Sequence, residues 1–235
     1  MKIYCISGLA ANGNCFKFIE LPHGFEKIYI EWLHPEPTES LEHYTHRMAE
    51  NIDVSEPFIL LGYSFGGIIV QEMNKFLSPE KTILLASIKD DIQRPKYFNI
   101  VQKTHLMNWF SAKLFSGNSY SFYVFIRSIY YGKNNFKKMD EYLSLHTDPV
   151  YMRWAIDNVT KWRSTIQCEN LYQIHGTKDI VFPYKLIKKS YDKNNENRLF
   201  TIPKGNHLVA LLKPNGVSQA LAEILQEQKM EKSLS

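Results

Sequence analysis

The 235-residue chain has only three cysteines, Cys5, Cys15 and Cys168, with no Cys-x-x-Cys pair, so neither a disulfide framework nor a cysteine-ligated zinc site is expected. Nor does any apolar run approach the eighteen or so residues that a membrane helix needs, and the stretch Ile3–Ile6 is too short for a secretory signal. Basic residues form no run interleaved with aromatics of the kind that tracks a phosphate backbone, and a net charge of +4 is too small to name a partner. No clustered His, Cys or acidic ligands suggest a metal, and no internal repeat or low-complexity segment occurs. The absences point to a soluble protein of a reducing compartment, the cytoplasm. With 44% hydrophobic residues the chain can build a substantial core.

Strand-length apolar runs occur at Lys2–Ile6, Lys27–Trp32, Pro57–Leu61, Lys81–Ala86, Asn170–Ile174 and Arg198–Ile202. Between them lie segments with apolar residues at helical intervals, such as Glu39–Ile52, which Thr38 starts after Pro35 and Pro37, and Gly67–Leu77. Runs that are apolar throughout, rather than at every second residue, belong to strands buried on both faces. The expected architecture is therefore α/β, a mostly parallel sheet of about six strands flanked by helices. The polar tail Gln226–Ser235 is expected to fray.

One span breaks the alternation. Residues 88–169 separate two strand-like runs by 82 positions, far more than an ordinary connection of about four to six residues, so they must carry structure of their own. Tyr97–Phe115, Tyr120–Tyr131, Asn135–Leu145 and Pro149–Trp162 have helical character, which predicts an inserted helical cap over a core made of 1–87 and 170–235. The span holds 16 of the chain's 32 aromatic residues, and its 12 Lys and Arg exceed its 7 Asp and Glu, whereas the remainder has 16 against 17. Most of these aromatics would serve the span's own packing, and its charge reads either as a solvated face or as a surface that draws in an anionic substrate.

The chemistry is concentrated around Gly62-Tyr63-Ser64-Phe65-Gly66-Gly67, between the run Pro57–Leu61 and the helical segment that follows. A chain that reverses from strand to helix within a few residues pushes the central side chain outward, and only small flanking residues let the two backbones pass. Ser64 is thus a candidate nucleophile. A serine hydroxyl is weak at neutral pH and needs a base, which in turn needs a third group to hold its tautomer. His207, in Gly205-Asn206-His207-Leu208, follows the last strand-like run, and Asp179, in His175-Gly176-Thr177-Lys178-Asp179, follows the one before it. All three would meet at the carboxyl edge of a parallel sheet, where ligands bind. Asp90 and Asp91, after Lys81–Ala86, are rival acids. His175 reads as structural, supporting the acid loop; His105 and His146 read as surface residues of the inserted span; Cys5 and Cys15 read as small packing residues.

In this order and context the chain resembles the α/β-hydrolase fold superfamily, in particular compact bacterial serine esterases with a cap. The resemblance covers almost the whole length and follows the family's order of nucleophile, acid, histidine. It implies a Ser64–His207–Asp179 triad, an oxyanion hole made by the backbone N–H groups of Leu9 and Phe65, an acyl-enzyme intermediate, and no metal or organic cofactor. Epoxide hydrolases and haloalkane dehalogenases, with aspartate at the elbow, are disfavoured. Ser7-Gly8 stands where many members have His-Gly, Tyr63 stands where many have His, and one or two leading edge strands of larger members are absent. The implied activity is hydrolysis of a carboxylic ester with an apolar moiety. Alternatives are a thioester hydrolase acting on an anionic carrier and a non-catalytic member that binds a small molecule.

Overall fold

A computed structural model describes residues 1–103, 149–191 and 195–234. Six strands, β1 (Lys2–Ile6), β2 (Glu26–Ile30), β3 (Phe58–Tyr63), β4 (Lys81–Leu85), β5 (Leu171–Gly176) and β6 (Leu199–Ile202), form one sheet in the order β2-β1-β3-β4-β5-β6, every pair parallel. The chain begins in the interior of the sheet, builds β2 on one side, and returns to build the rest on the other. The reversal puts a switch point between β1 and β3, where the loops leaving the two carboxyl ends diverge and leave room for a ligand.

The uniform apolar character of the inner strands follows from burial on both faces. Tyr4 and Ile6 of β1, with Phe58 and Leu60 of β3, point into one core, which they share with α1 (Leu41–Ala49), α2 (Phe65–Met73) and α4 (Pro149–Lys161). The alternate residues Ile3, Cys5, Ile59 and Leu61 point into a second core, closed by a short 3-10 helix, Gly13–Phe16, and by α7 (Pro214–Leu234). Each such Leu or Ile contributes about 1.5–3 kcal/mol on burial. β3 and β4 are buried at every position, whereas the edge strands β2 and β6 are partly exposed. Cys5 and Cys15 are buried packing residues, and all three thiols are free.

Several boundaries differ from expectation for identifiable reasons. Helix α1 starts after Ser40, whose Oγ accepts from His43 N–H at 3.1 Å, while Thr38 adopts φ 61° in the preceding turn. Helix α2 begins directly at Phe65 because β3 runs on through Gly62 and Tyr63. β2 stops at Ile30, releasing Trp32 to fold back beneath the β1 loop. The tail continues α7 as far as Leu234 because Gln, Glu, Lys, Met and Leu are strong helix formers.

Of the span 88–169, α3 (Tyr97–Lys103) and α4 pack against each other, and α4 is tied to the core by two indole N–H groups. Trp154 donates to the Glu39 carbonyl at 2.8 Å, and Trp162, just beyond the helix, donates to Glu72 at 2.9 Å. The helical segments expected at 120–131 and 135–145, and His105 and His146, lie outside the described residues. Helices α5 (Tyr184–Lys189) and α6 (Val209–Leu212) complete the fold. Among the described residues no helix is long and apolar enough to cross a membrane.

Candidate active site

Ser64 sits at the junction of β3 and α2 with φ 53° and ψ −115°, a conformation an L-residue adopts only when its surroundings impose it. Steric closeness supplies the constraint. A Cβ on Gly62 would collide with the Gly66 backbone, and one on Gly66 would collide with the Ile6 and Ser7 carbonyls, so only glycine lets strand and helix approach this closely. Ser64 N–H donates to the Leu85 carbonyl at 2.9 Å, and the Ser64 carbonyl accepts from Ser87 Oγ at 2.7 Å. Both backbone groups are thereby engaged, leaving the side chain to face the carboxyl edge.

The loop leaving β1 passes beside it: a methyl on Gly8 would lie 3.2 Å from Ser64 Cβ. Residues 7–11 form a turn in which Ser7 Oγ donates to the Ala11 carbonyl at 2.8 Å, Ala11 N–H donates to the Gly8 carbonyl at 3.1 Å, and Ala10 takes φ 59°. Trp32 Nε1–H reaches both Ser7 Oγ, at 2.9 Å, and the Gly8 carbonyl, at 3.2 Å. The Trp32 ring stacks on Phe65 with centroids 5.2 Å apart. One indole therefore holds the loop that carries Leu9 and packs on the first residue of α2, Phe65, whose N–H has no intrahelical acceptor. Trp32 carries no sequence signal of this part, since it closes a strand-length apolar run, Lys27–Trp32.

On the other side, Asp179 and His207 come from the loops after β5 and β6. These loops are braced together. Thr177 N–H donates to the Ile202 carbonyl at 3.1 Å, Lys178 N–H to the Gly205 carbonyl at 2.8 Å, and Lys204 N–H to Thr177 Oγ1 at 2.9 Å. Gly176 permits this, because a side chain there would meet the Gly205 carbonyl. Asp179 Oδ1 accepts the N–H groups of Val181 and Phe182 at 2.8 and 2.9 Å, and Oδ2 lies 2.8 Å from His207 Nδ1. Since an ionised carboxylate only accepts, His207 carries its proton on Nδ1 and presents the Nε2 lone pair to Ser64, whose Oγ is 2.8 Å away. Burial pushes the Asp179 carboxyl up, but His207 and its hydrogen bond, with His175 and the Phe182 N–H, outweigh burial and hold it below the usual carboxylate range. His207 is itself confined: Tyr63 Oη–H donates to its carbonyl at 2.8 Å, and Phe182 packs edge-on to its ring at 5.4 Å.

The three residues expected from sequence are thus brought into one hydrogen-bonded chain, with Phe65 next in the chain after its serine and Gly8, which precedes Leu9, beside it. The rival acids lie elsewhere: Asp90 accepts from Gln93 N–H at 3.0 Å and pairs with Lys89 at 3.4 Å, and Asp91 faces Arg163 at 4.0 Å. A cavity of about 310 Å³ lined by Gln71, Lys89, Cys168, Tyr191 and Arg198 includes none of the cluster residues. Glu36, Glu39 and His43 bring three ligand-type atoms together, and the Arg47 guanidinium already pairs with both carboxylates at 3.3 Å.

No protein-family model matches the chain, and no curated protein is similar to it in sequence. Solved structures do match. An α/β hydrolase fold protein from Burkholderia ambifaria superposes with a TM-score of 0.70 at 12% identity, over 94% of this chain and 90% of that one. A thermophilic esterase from Thermogutta terrifontis gives 0.64 at 14% identity, over 97% and 90%. A pyrethroid hydrolase from Sphingobium faniae JZ-2 gives 0.62 at 16% identity, over 95% and 96%. With its six parallel strands, its strained elbow after β3 and these likenesses along almost its whole length, the chain has the α/β-hydrolase fold.

Proposed function

We propose that the protein is a serine hydrolase that cleaves a carboxylic ester with an apolar moiety. The observation that carries this reading is the unbroken chain from Ser64 Oγ through His207 to Asp179, both links 2.8 Å, at the switch point of the sheet. Ser64 Oγ attacks the acyl carbonyl while His207 Nε2 takes its proton, and Asp179 holds the imidazole in the required tautomer and stabilises the imidazolium. The backbone N–H groups of Leu9 and Phe65 receive the oxyanion. His207 then protonates the leaving alcohol, and water, deprotonated by the same nitrogen, releases the acid from the acyl-enzyme. No step calls on a metal or an organic cofactor.

In this reading the span 88–169 is a cap over the site, and its 16 aromatic residues favour an apolar substrate part. The names of two structural neighbours, an esterase and a pyrethroid hydrolase, point the same way. Thioester cleavage on an anionic carrier is the second reading, favoured by the excess of basic residues in the same span. The three free thiols suit a cytoplasmic setting.

A fluorophosphonate probe tests the proposal. It is expected to label Ser64, located by peptide mass mapping, and to leave His207→Ala unlabelled. Labelling that persists in folded His207→Ala would remove His207 as the base, and a folded wild-type protein that resists the probe would favour a non-catalytic binding member of the fold. Once labelling is established, paired ester and thioester substrates of equal acyl length separate the two activities.

A further inference from the structure

The mechanism leaves unused a buried imidazole that faces Asp179. His175, at the carboxyl end of β5, is fully enclosed and lies four residues before Asp179. Its Nε2 is 2.8 Å from the Phe182 carbonyl oxygen and 3.4 Å from Asp179 Oδ2, the oxygen that also accepts from His207 at 2.8 Å. Two imidazoles therefore face a single carboxylate oxygen. Both neighbours of His175 Nε2 are acceptors, so that nitrogen carries the ring proton. Nδ1 has no hydrogen-bond partner among the described residues, and a second proton there would be buried without an acceptor. His175 is accordingly neutral: burial lowers its pKa, against the opposing pull of Asp179 and of the Phe182 carbonyl.

We infer that His175 is a positioning residue that uses one N–H to close the acid loop on Phe182 and to temper the hold of Asp179 on His207. The loop effect is direct. Phe182 donates its N–H to Asp179 and accepts from His175 at its carbonyl, so its peptide groups are clamped on both sides while its ring rests against His207. The electrostatic effect works through distance. At 3.4 Å the contact with Asp179 is too long for a strong hydrogen bond, but the positive end of the N–H dipole still faces the carboxylate and makes it less basic. A less basic carboxylate holds the His207 imidazolium less tightly, which favours the neutral ring that accepts the proton of Ser64. A charged His175 would instead compete with the His207 imidazolium for the same oxygen, so the neutral form is the useful one. Hydroxyls also face the cluster: that of Ser64, that of Tyr63, which donates to the His207 carbonyl, and that of Tyr97 on α3, which donates to the Val181 carbonyl.

The inference rests on the hydrolase reading for its kinetic consequence, but the titration of His207 can be read without turnover. His175→Phe keeps a ring and removes the donor, and His175→Gln returns an N–H at similar reach. NMR of the His207 Cε1–H resonance against pH, in folded protein, is expected to show the midpoint raised in H175F relative to wild type and restored in H175Q. The acidic limb of kcat/KM for a nitrophenyl ester is expected to move by the same amount. An unshifted midpoint in H175F overturns the inference, as does a shift that H175Q fails to reverse, because ring volume rather than the N–H would then be responsible. His175→Leu is the donor-free comparison if H175F does not fold. If the wild-type protein turns over no ester, the hydrolase reading falls, while the NMR titration still decides the role of His175.

Discussion

The two ends of the Ser64–His207–Asp179 chain are built by different means. At the serine end the reversal itself is local, since Gly62 lets β3 pass the Gly66 backbone and Ser64 absorbs the turn at φ 53°, while Leu85 and Ser87 anchor its backbone. At the acid and base end, Asp179 and His207 are 28 residues apart and meet because two loops are laced together by backbone hydrogen bonds and because Gly176 leaves room for Gly205. Local sterics thus set the nucleophile, whereas tertiary hydrogen bonding sets its activation. Substitutions on the two sides are expected to have different signatures.

The largest effect is expected at the strained end. Ser64→Ala should lower turnover by roughly four to six orders of magnitude, because the cluster acts as a unit while binding and the oxyanion site persist. Turnover retained within tenfold would reassign the nucleophile. Ser64→Gly should be equally inactive but more stable than Ser64→Ala by about 1 kcal/mol in urea unfolding, since glycine accepts a positive φ without strain. Equal stability of the two variants would show that the elbow holds no strain.

At the other end, Asp179→Asn should cost at least about a hundredfold in kcat, by presenting an amide where His207 Nδ1–H needs an acceptor. It should leave the elbow intact, so a crystal structure with Ser64 still at positive φ is part of the expectation. Between the two ends, Trp32→Phe removes the indole N–H that reaches Ser7 Oγ and the Gly8 carbonyl. An expected loss of about tenfold in kcat, with KM little changed, would mark a loop displaced at the oxyanion rather than at the substrate. A change confined to KM would place the role of Trp32 in binding.

The smallest effect is on stability against pH. The folded-state pKa values of His175 and Asp179 are both lowered, so the unfolded chain binds their protons first as pH falls. The His175 contribution is complete above about pH 6.5 and is lost as pH falls toward its folded value; that of Asp179 is complete above about pH 3.9 and is lost below. Urea midpoints should therefore begin to decline below about pH 6.5, and His175→Gln should delay that decline to the carboxylate range. A wild-type midpoint that is flat between pH 7 and pH 5 contradicts a neutral, buried His175.

Much of this is legible in the sequence. Apolar runs without alternation announced strands buried on both faces, and the six strands lie where those runs lie, with ends displaced by a few residues. The displacements have local causes that hydropathy does not carry: Ser40 caps α1 with its hydroxyl, and β3 continues through a glycine that lets it pass beneath α2. Asp179, Asp90 and Asp91 all follow strands, so spacing could not choose among them; the lacing of the β5 and β6 loops does, by carrying Asp179 alone to His207. Trp32 and His175 gave no sequence signal of their parts in the site, since a tryptophan near a strand end and a histidine before glycine are commonly packing residues.

By itself the sequence determined the parallel α/β architecture, the strand-to-helix reversal at Ser64 and the side-chain types able to activate it, because periodicity and the steric demands of glycine act over a few neighbouring residues. Only the tertiary structure decided which acid reaches which histidine, what holds the Ser7–Ala11 turn and which atoms share the Asp179 carboxylate, because those contacts join residues 25 to 143 positions apart, and proximity of that kind exists only after the sheet has assembled.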